Sequence, residues 1–252
     1  DQDQDVADAL FKIANIFNDW GKDNEAQQYY QQSLKLYKRL LGEDNINVAS
    51  CKQKLGVIYW NRKDIDRSLE SFLDALRVCE QEDEDDVASV LISIYRGLGD
   101  CYYNKGEYDR ALKNFSKCVR CQKMELGDNC IEMAAPCDFI GLIYQKKEKY
   151  DQAMGFHSKA LSIKEKQFGE GSKECASSDF HIANVLLALC KYEECIARLN
   201  NHLETYYEGS NNSEEVAEIY RLLGIAQSKL GLYEASVSSL NKSLNIRKML
   251  FG

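Results

Sequence analysis

The chain has 252 residues, 40 acidic against 32 basic for a net charge of −8, with 44% hydrophobic side chains. That balance suits a folded chain and argues against nucleic acid, whose phosphates need a concentrated positive surface. No stretch approaches the roughly 18 uninterrupted apolar residues of a membrane span, and Asp1 to Asp5 is acidic where a signal peptide is basic. No membrane insertion and no targeting segment are expected. Fifteen Gly but a single Pro, Pro136, point to a mostly helical chain, because Pro excludes itself from helix interiors. The ten cysteines are scattered from Cys51 to Cys195 rather than arranged as the disulfide framework of a small secreted domain. They read as reduced thiols of an intracellular, cytoplasmic protein. The sequons at Asn114, Asn211 and Asn241 carry little weight against that, since such triplets occur by chance and two lie in helical patterns.

Along the chain the same pattern returns six times. Lys54-Leu55-Gly56-Val57-Ile58-Tyr59 reappears as Gly97-Leu98-Gly99-Asp100-Cys101-Tyr102 and as Phe139-Ile140-Gly141-Leu142-Ile143-Tyr144. Its small residue falls at Ala14, Gly56, Gly99, Gly141, Ala183 and Gly224, spaced 42, 43, 42, 42 and 41 residues apart. A period of this size is the mark of a repeat architecture. A second small column runs through Ala26, Ser68, Ala111, Ala153, Cys195 and Ser236, and a third through Ser33, Ala75, Cys118, Ala160 and Ser243, broken only by His202. Repeats close on an apolar residue and Gly, as at Leu41-Gly42, Leu126-Gly127, Phe168-Gly169, Tyr207-Glu208-Gly209 and Phe251-Gly252.

Apolar residues recur at helical spacing on both sides of a short polar turn, so each repeat is predicted to be a helical hairpin. First helices are expected near 6–19, 46–60, 87–104, 130–147, 172–189 and 213–230. Gly106 and Gly231 suit the left-handed residue that ends a first helix, and Asn129 with Glu132 has the spacing of a capping pair. A small residue in mid-helix costs up to about 1 kcal/mol of helix propensity, so six in register predict a second helix too close for a larger side chain.

These residues resemble the tetratricopeptide repeat family, through Leu55-Gly56 with Tyr59, Leu98-Gly99 with Tyr102, Tyr108 with Ala111, Tyr150 with Ala153, and the small residue seven later. The period of about 42, with long second helices ending in 38–44 and 165–171, is most similar to the kinesin light chain type of repeat. Asn45-Ile46 and Asn129-Cys130 replace its His-Pro, and Leu186 and Gln227 replace Tyr in the last two repeats. The resemblance implies an all-α fold, a right-handed α-α superhelix (solenoid) of six tetratricopeptide-like hairpins. It implies one domain over 1–252 with repeats at about 5–42, 46–84, 86–127, 129–169, 172–209 and 212–252.

It also implies a concave wall lined by the first helices. The inward positions map to Phe11 and Asn15; Gln53, Lys54 and Trp60; Arg96, Asp100 and Tyr103; Asp138 and Gln145; Phe180, His181 and Asn184; and Arg221 with Lys229. Of these Phe11, Asn15, Lys54, Trp60, Arg96, Asp100, Tyr103, Asn184 and Arg221 are the candidate groove, suited to an extended peptide or partner helix. Each has a second reading as a packing residue between adjacent repeats. The family's chaperone-binding carboxylate clamp is not expected, because Phe11 stands where its first Lys belongs, and the mixed charge along the wall disfavours a strongly acidic or basic ligand.

No catalysis, cofactor or metal is expected. His157, His181 and His202 lie in different repeats with no nucleophile motif, phosphate loop or His-Glu-x-x-His run. Cys118 and Cys121 sit one turn apart, but Cys118 belongs to a small column, and Cys130 with Cys137 is too widely spaced to complete a zinc site. The acidic run 80–86 lacks the Gly and ligand order of a calcium loop and reads as a solvated linker favouring the next helix N-terminus. The expected function is a non-catalytic scaffold or adaptor for a protein partner, in its finer form a motor-cargo adaptor. The alternative is a permanent structural subunit of a large multiprotein assembly.

Overall fold

A computed structural model describes residues 2–81, 84–207 and 213–251, without the side chains of 84–86. Residues 82–83 of the acidic run, the closures at Glu208-Gly209 and Gly252 and the sequon at Asn211 therefore lie outside the described residues. Among the described residues twelve α-helices form six hairpins: α1 (Gln2–Asp19) with α2 (Asp23–Leu41), α3 (Ile46–Asn61) with α4 (Ile65–Cys79), α5 (Glu84–Asn104) with α6 (Tyr108–Leu126), α7 (Ala134–Lys146) with α8 (Tyr150–Phe168), α9 (Ala176–Ala188) with α10 (Tyr192–Tyr206), and α11 (Glu214–Lys229) with α12 (Tyr233–Phe251). No strand occurs among the described residues. The chain divides into two compact units of three hairpins each, residues 1–128 and 129–252.

Every hairpin turn is built the same way. The amide three residues past the first helix bonds back five residues, Lys22 to Phe17, Asp64 to Tyr59, Glu107 to Tyr102, Lys149 to Tyr144, Lys191 to Leu186 and Leu232 to Gln227, all at 2.8–2.9 Å. That bond requires a left-handed residue just before it. Gly21, Gly106 and Gly231 supply it at φ near +75°, but Lys63, Glu148 and Cys190 adopt φ of 61°, 57° and 59°. A left-handed non-Gly residue costs about 1–2 kcal/mol, partly offset by the ~0.5–1 kcal/mol of backbone entropy that Gly loses on folding. Lys63→Gly and Glu148→Gly, both exposed, should therefore each stabilise the fold by about 0.5 kcal/mol. A lower melting temperature for either would show that the side chain carries a compensating contact.

The small columns are where the helices meet. A Cβ on Gly56, Gly99, Gly141 or Gly224 would stand 2.6–3.0 Å from Phe72, Phe115, His157 or Leu240, the residue sixteen positions on. The second column also supplies hydrogen bonds, Ser68 and Ser236 donating to the carbonyls of Gly56 and Gly224 at 2.9 and 2.8 Å. In the third, Ser33 and Ser243 donate to Ala7 and Ala217 at 2.9 and 2.7 Å. Cys118, buried in that column, points its thiol at the Ile92 carbonyl, 3.5 Å away.

Two expectations need correction. Asn129 does not cap a helix: it sits at φ 67°, one residue early, and Cys130 occupies the cap position without a side-chain capping bond. The first helices of repeats four and five accordingly begin as single 3₁₀ turns, Ile131–Met133 and Lys173–Cys175, before α7 and α9. In the fifth repeat the Ser172 hydroxyl is drawn to the Cys175 thiol at 3.2 Å rather than to a helix amide. Asn45 and Ser213, by contrast, cap α3 and α11 by accepting from Asn47 and Val216 at 2.9 and 3.2 Å.

Candidate functional site

In the N-terminal unit α3 and α5 pack side by side and carry Lys54, Trp60, Arg96, Asp100 and Tyr103. Lys54 and Trp60 are half-buried and Arg96 is exposed. Tyr103 meets Tyr108 edge to face with ring centroids 5.7 Å apart. Asp100 lies between Arg96 and Tyr103, one turn from each, and is largely withdrawn from water. Its Oδ1 is buried with no hydrogen-bond partner, and burial raises the carboxyl to about 6 against the pull of Arg96. A buried carboxylate oxygen left without a donor is costly and uncommon. Between pH 4 and 6 the folded state holds this proton more tightly than the unfolded chain, so its contribution to stability falls as pH rises through that window.

The other candidates have partners within their own hairpins. Phe11 packs edge to face on Tyr30 at 5.5 Å, and Asn15 accepts from the Tyr30 hydroxyl at 2.6 Å. Asn184 donates its side-chain amide to the Phe180 carbonyl at 3.2 Å, while Arg221 pairs with Glu218, which also binds Arg247 at 2.8 Å.

In the C-terminal unit α7, α8 and α9 share a buried polar network that the sequence reading missed. Asp138, placed on the wall by spacing, is buried. Its Oδ1 lies 2.9 Å from His157 Nδ1, and its Oδ2 accepts from Lys164 at 2.8 Å and from Ser178. These bonds hold the Asp138 carboxyl below its ordinary range despite burial. His157 takes the place filled by Tyr30, Phe72 and Phe115 in earlier repeats, and counting sixteen from each small residue is the signal that finds it. Its ring stands 4.9 Å from that of His181, and burial and this neighbour push His181 down to about 4. His181 is therefore neutral near pH 7, and its contribution to stability is lost as pH falls from 6.5 towards 4.

His202, which breaks the third small column, is buried with Nδ1 2.8 Å from Asp179, itself paired with Arg198 at 2.8 Å. A cleft of about 830 Å³ opens there, lined among others by Phe180, His181, His202, Tyr206, Glu218 and Arg247. All ten cysteines are free thiols, and burial pushes Cys51 up to about 12 and Cys137 and Cys195 up to about 11, away from thiolate chemistry. Among the described residues no three His, Cys, Asp or Glu side chains come together as metal ligands, and no helix is long and apolar enough to cross a membrane.

Helical hairpins repeated about every 42 residues, locked by small columns and with polar and aromatic residues along their first helices, define a helical-repeat protein. The sequence profile described as Tetratricopeptide repeat matches residues 5–81, 90–166 and 174–249. The chain belongs to that family. No protein with a curated description matches it in sequence. Solved structures of similar fold include BtubC (BKLC) from P. vanneervenii, 16% identical with a TM-score of 0.70 over 90% of this chain and 91% of that one. The apo form of RapI is 16% identical, with a TM-score of 0.70 over 97% and 98% of the two chains. A Podosopora anserina protein described as a kinesin light chain with nearly identical TPR-like repeats is 14% identical, with a TM-score of 0.64 over 81% and 95%. At such identities the likeness concerns the fold alone.

Proposed function

We propose that this chain is a non-catalytic interaction scaffold whose first-helix wall, around Lys54, Trp60, Arg96, Asp100 and Tyr103, holds an extended segment of a partner protein. Phe11 and Asn15 extend this wall in the first repeat, and Asn184 and Arg221 are the candidate positions on the first helices of the C-terminal unit. The observation that carries the reading is Asp100, whose unpartnered buried oxygen is an acceptor that a peptide amide or cationic side chain would satisfy. Arg96 and Tyr103 flank it with a charge and an aromatic face, the residue types that dominate binding energy in protein interfaces. The ten free thiols support an intracellular, cytoplasmic setting, and the repeat length favours the motor-cargo form of adaptor. The alternative, a permanent subunit of a larger assembly, draws on apolar faces of α1 and α12 taken up below.

Changing Arg96 and Tyr103 together to Ala should weaken capture of segments selected from a displayed peptide library by at least about 1 kcal/mol, roughly fivefold, with helical content unchanged. Capture that survives the double change places the site elsewhere.

A further inference from the structure

Two helices expose apolar faces at positions that the repeat buries elsewhere. On α1, Val6, Ile13 and Ile16 are 50%, 38% and 65% exposed, whereas their counterparts Val48, Leu55 and Ile58 on α3, and Leu91, Leu98 and Cys101 on α5, are 5% exposed or less. Val216, Leu223 and Ala226 on α11 are likewise buried. On α12, Leu240 and Leu244 are 41% and 48% exposed, whereas the counterparts of Leu240 within α2, α4, α8 and α10, namely Tyr30, Phe72, His157 and Leu199, are fully buried.

Inside each unit these two faces pack on one another. Tyr30 and Leu34 of α2 share a core with Leu55 and Ile58 of α3, and Leu199 and Leu203 of α10 share one with Leu223 and Ala226 of α11. We propose that the chain associates head to tail with a second copy of itself, the face of α1 docking on α12 as α3 docks on α2, with Ile13 and Ile16 against Leu240 and Leu244. Charge favours this occupant. The α1 segment carries four Asp and one Lys, whereas α12 carries Lys242, Arg247 and Lys248 against Glu234. The α3-on-α2 arrangement is antiparallel, with Val48 near the start of α3 meeting Tyr37 near the end of α2, so it sets Asp5 near Lys248. The contact joins two different faces, so each copy keeps one face open and assembly continues beyond a dimer unless it closes into a ring.

Ile16→Asp blocks the α1 face and Leu244→Asp blocks the α12 face, and both residues are exposed, so neither change disturbs a core. By sedimentation velocity the unaltered chain should grow in mass with concentration, less so in high salt. Each variant alone should stay monomeric, and an equimolar mixture of the two should form a dimer and nothing larger. The proposal is overturned if the unaltered chain is monomeric at every concentration, its faces then being left to another segment or protein. It is equally overturned if association ignores both changes, or if the mixed variants stay monomeric.

Discussion

Gly99→Leu should lower stability by a few kcal/mol, read as a fall in melting temperature or denaturation midpoint. Even a Cβ at this position would stand 2.6 Å from the Phe115 ring, and Phe115 is fully buried with nowhere to retreat. Helix propensity points the other way, since Leu is a better helix former than Gly by most of a kcal/mol, so the sign of the change separates a closed helix contact from an exposed turn. The repeats themselves supply a control. Ala183 lies opposite Leu199 in the fifth repeat, where Gly99 lies opposite Phe115 in the third. Gly99→Ala combined with Phe115→Leu should therefore cost less than the two single changes added together, as expected for residues in contact. A raised melting temperature for Gly99→Leu would contradict the register on which every other assignment rests.

Asp138→Ala should be comparably destabilising, by about 3–5 kcal/mol, for an electrostatic reason. The carboxylate faces His157 and Lys164 at 2.9 and 2.8 Å, and the Lys164 side chain is only 12% exposed. Removing it leaves a withdrawn ammonium with hydroxyls alone for partners, and leaves His157, whose Nε2 already lacks a partner, without its Nδ1 contact. Replacing Asp138 and Lys164 together by Leu and Met should restore much of the loss, because a buried ion pair exchanged whole for apolar residues is often close to neutral. Denaturant midpoints of the two variants check this. A loss below about 1 kcal/mol for Asp138→Ala would mean that water reaches the network and that Asp138 belongs to an open wall.

The hairpin register was legible because its cause is local and periodic. A small residue opposite a bulky one recurs about every 42 residues, and both members are written in the chain. The turns were legible only in part: Gly106 and Gly231 mark the left-handed residue, but Lys63, Glu148 and Cys190 take the same conformation without Gly, held there by the bond closing behind them. The division at 128–129 left no mark, since the spacing of the small residues runs through it unchanged. On the wall, spacing places a residue on a face but does not tell whether another helix has already claimed its polar atoms. That is why Asn15, bound by Tyr30, and Asp138, bound by three side chains, were indistinguishable in the sequence from Asp100, whose Oδ1 has no partner.

Asp100 is accordingly where the scaffold reading meets its most direct test, because a residue kept for binding and a residue kept for packing respond oppositely to the same change. Asn keeps the shape of Asp and removes the buried charge. Asp100→Asn should raise the melting temperature at pH 7, by an amount on the order of 1 kcal/mol of stability. It should also abolish this group's contribution to the fall in stability between pH 4 and 6 and weaken capture of the peptides that the unaltered chain selects. A melting temperature that drops at pH 7, or peptide capture unchanged in a stabilised variant, would contradict the account.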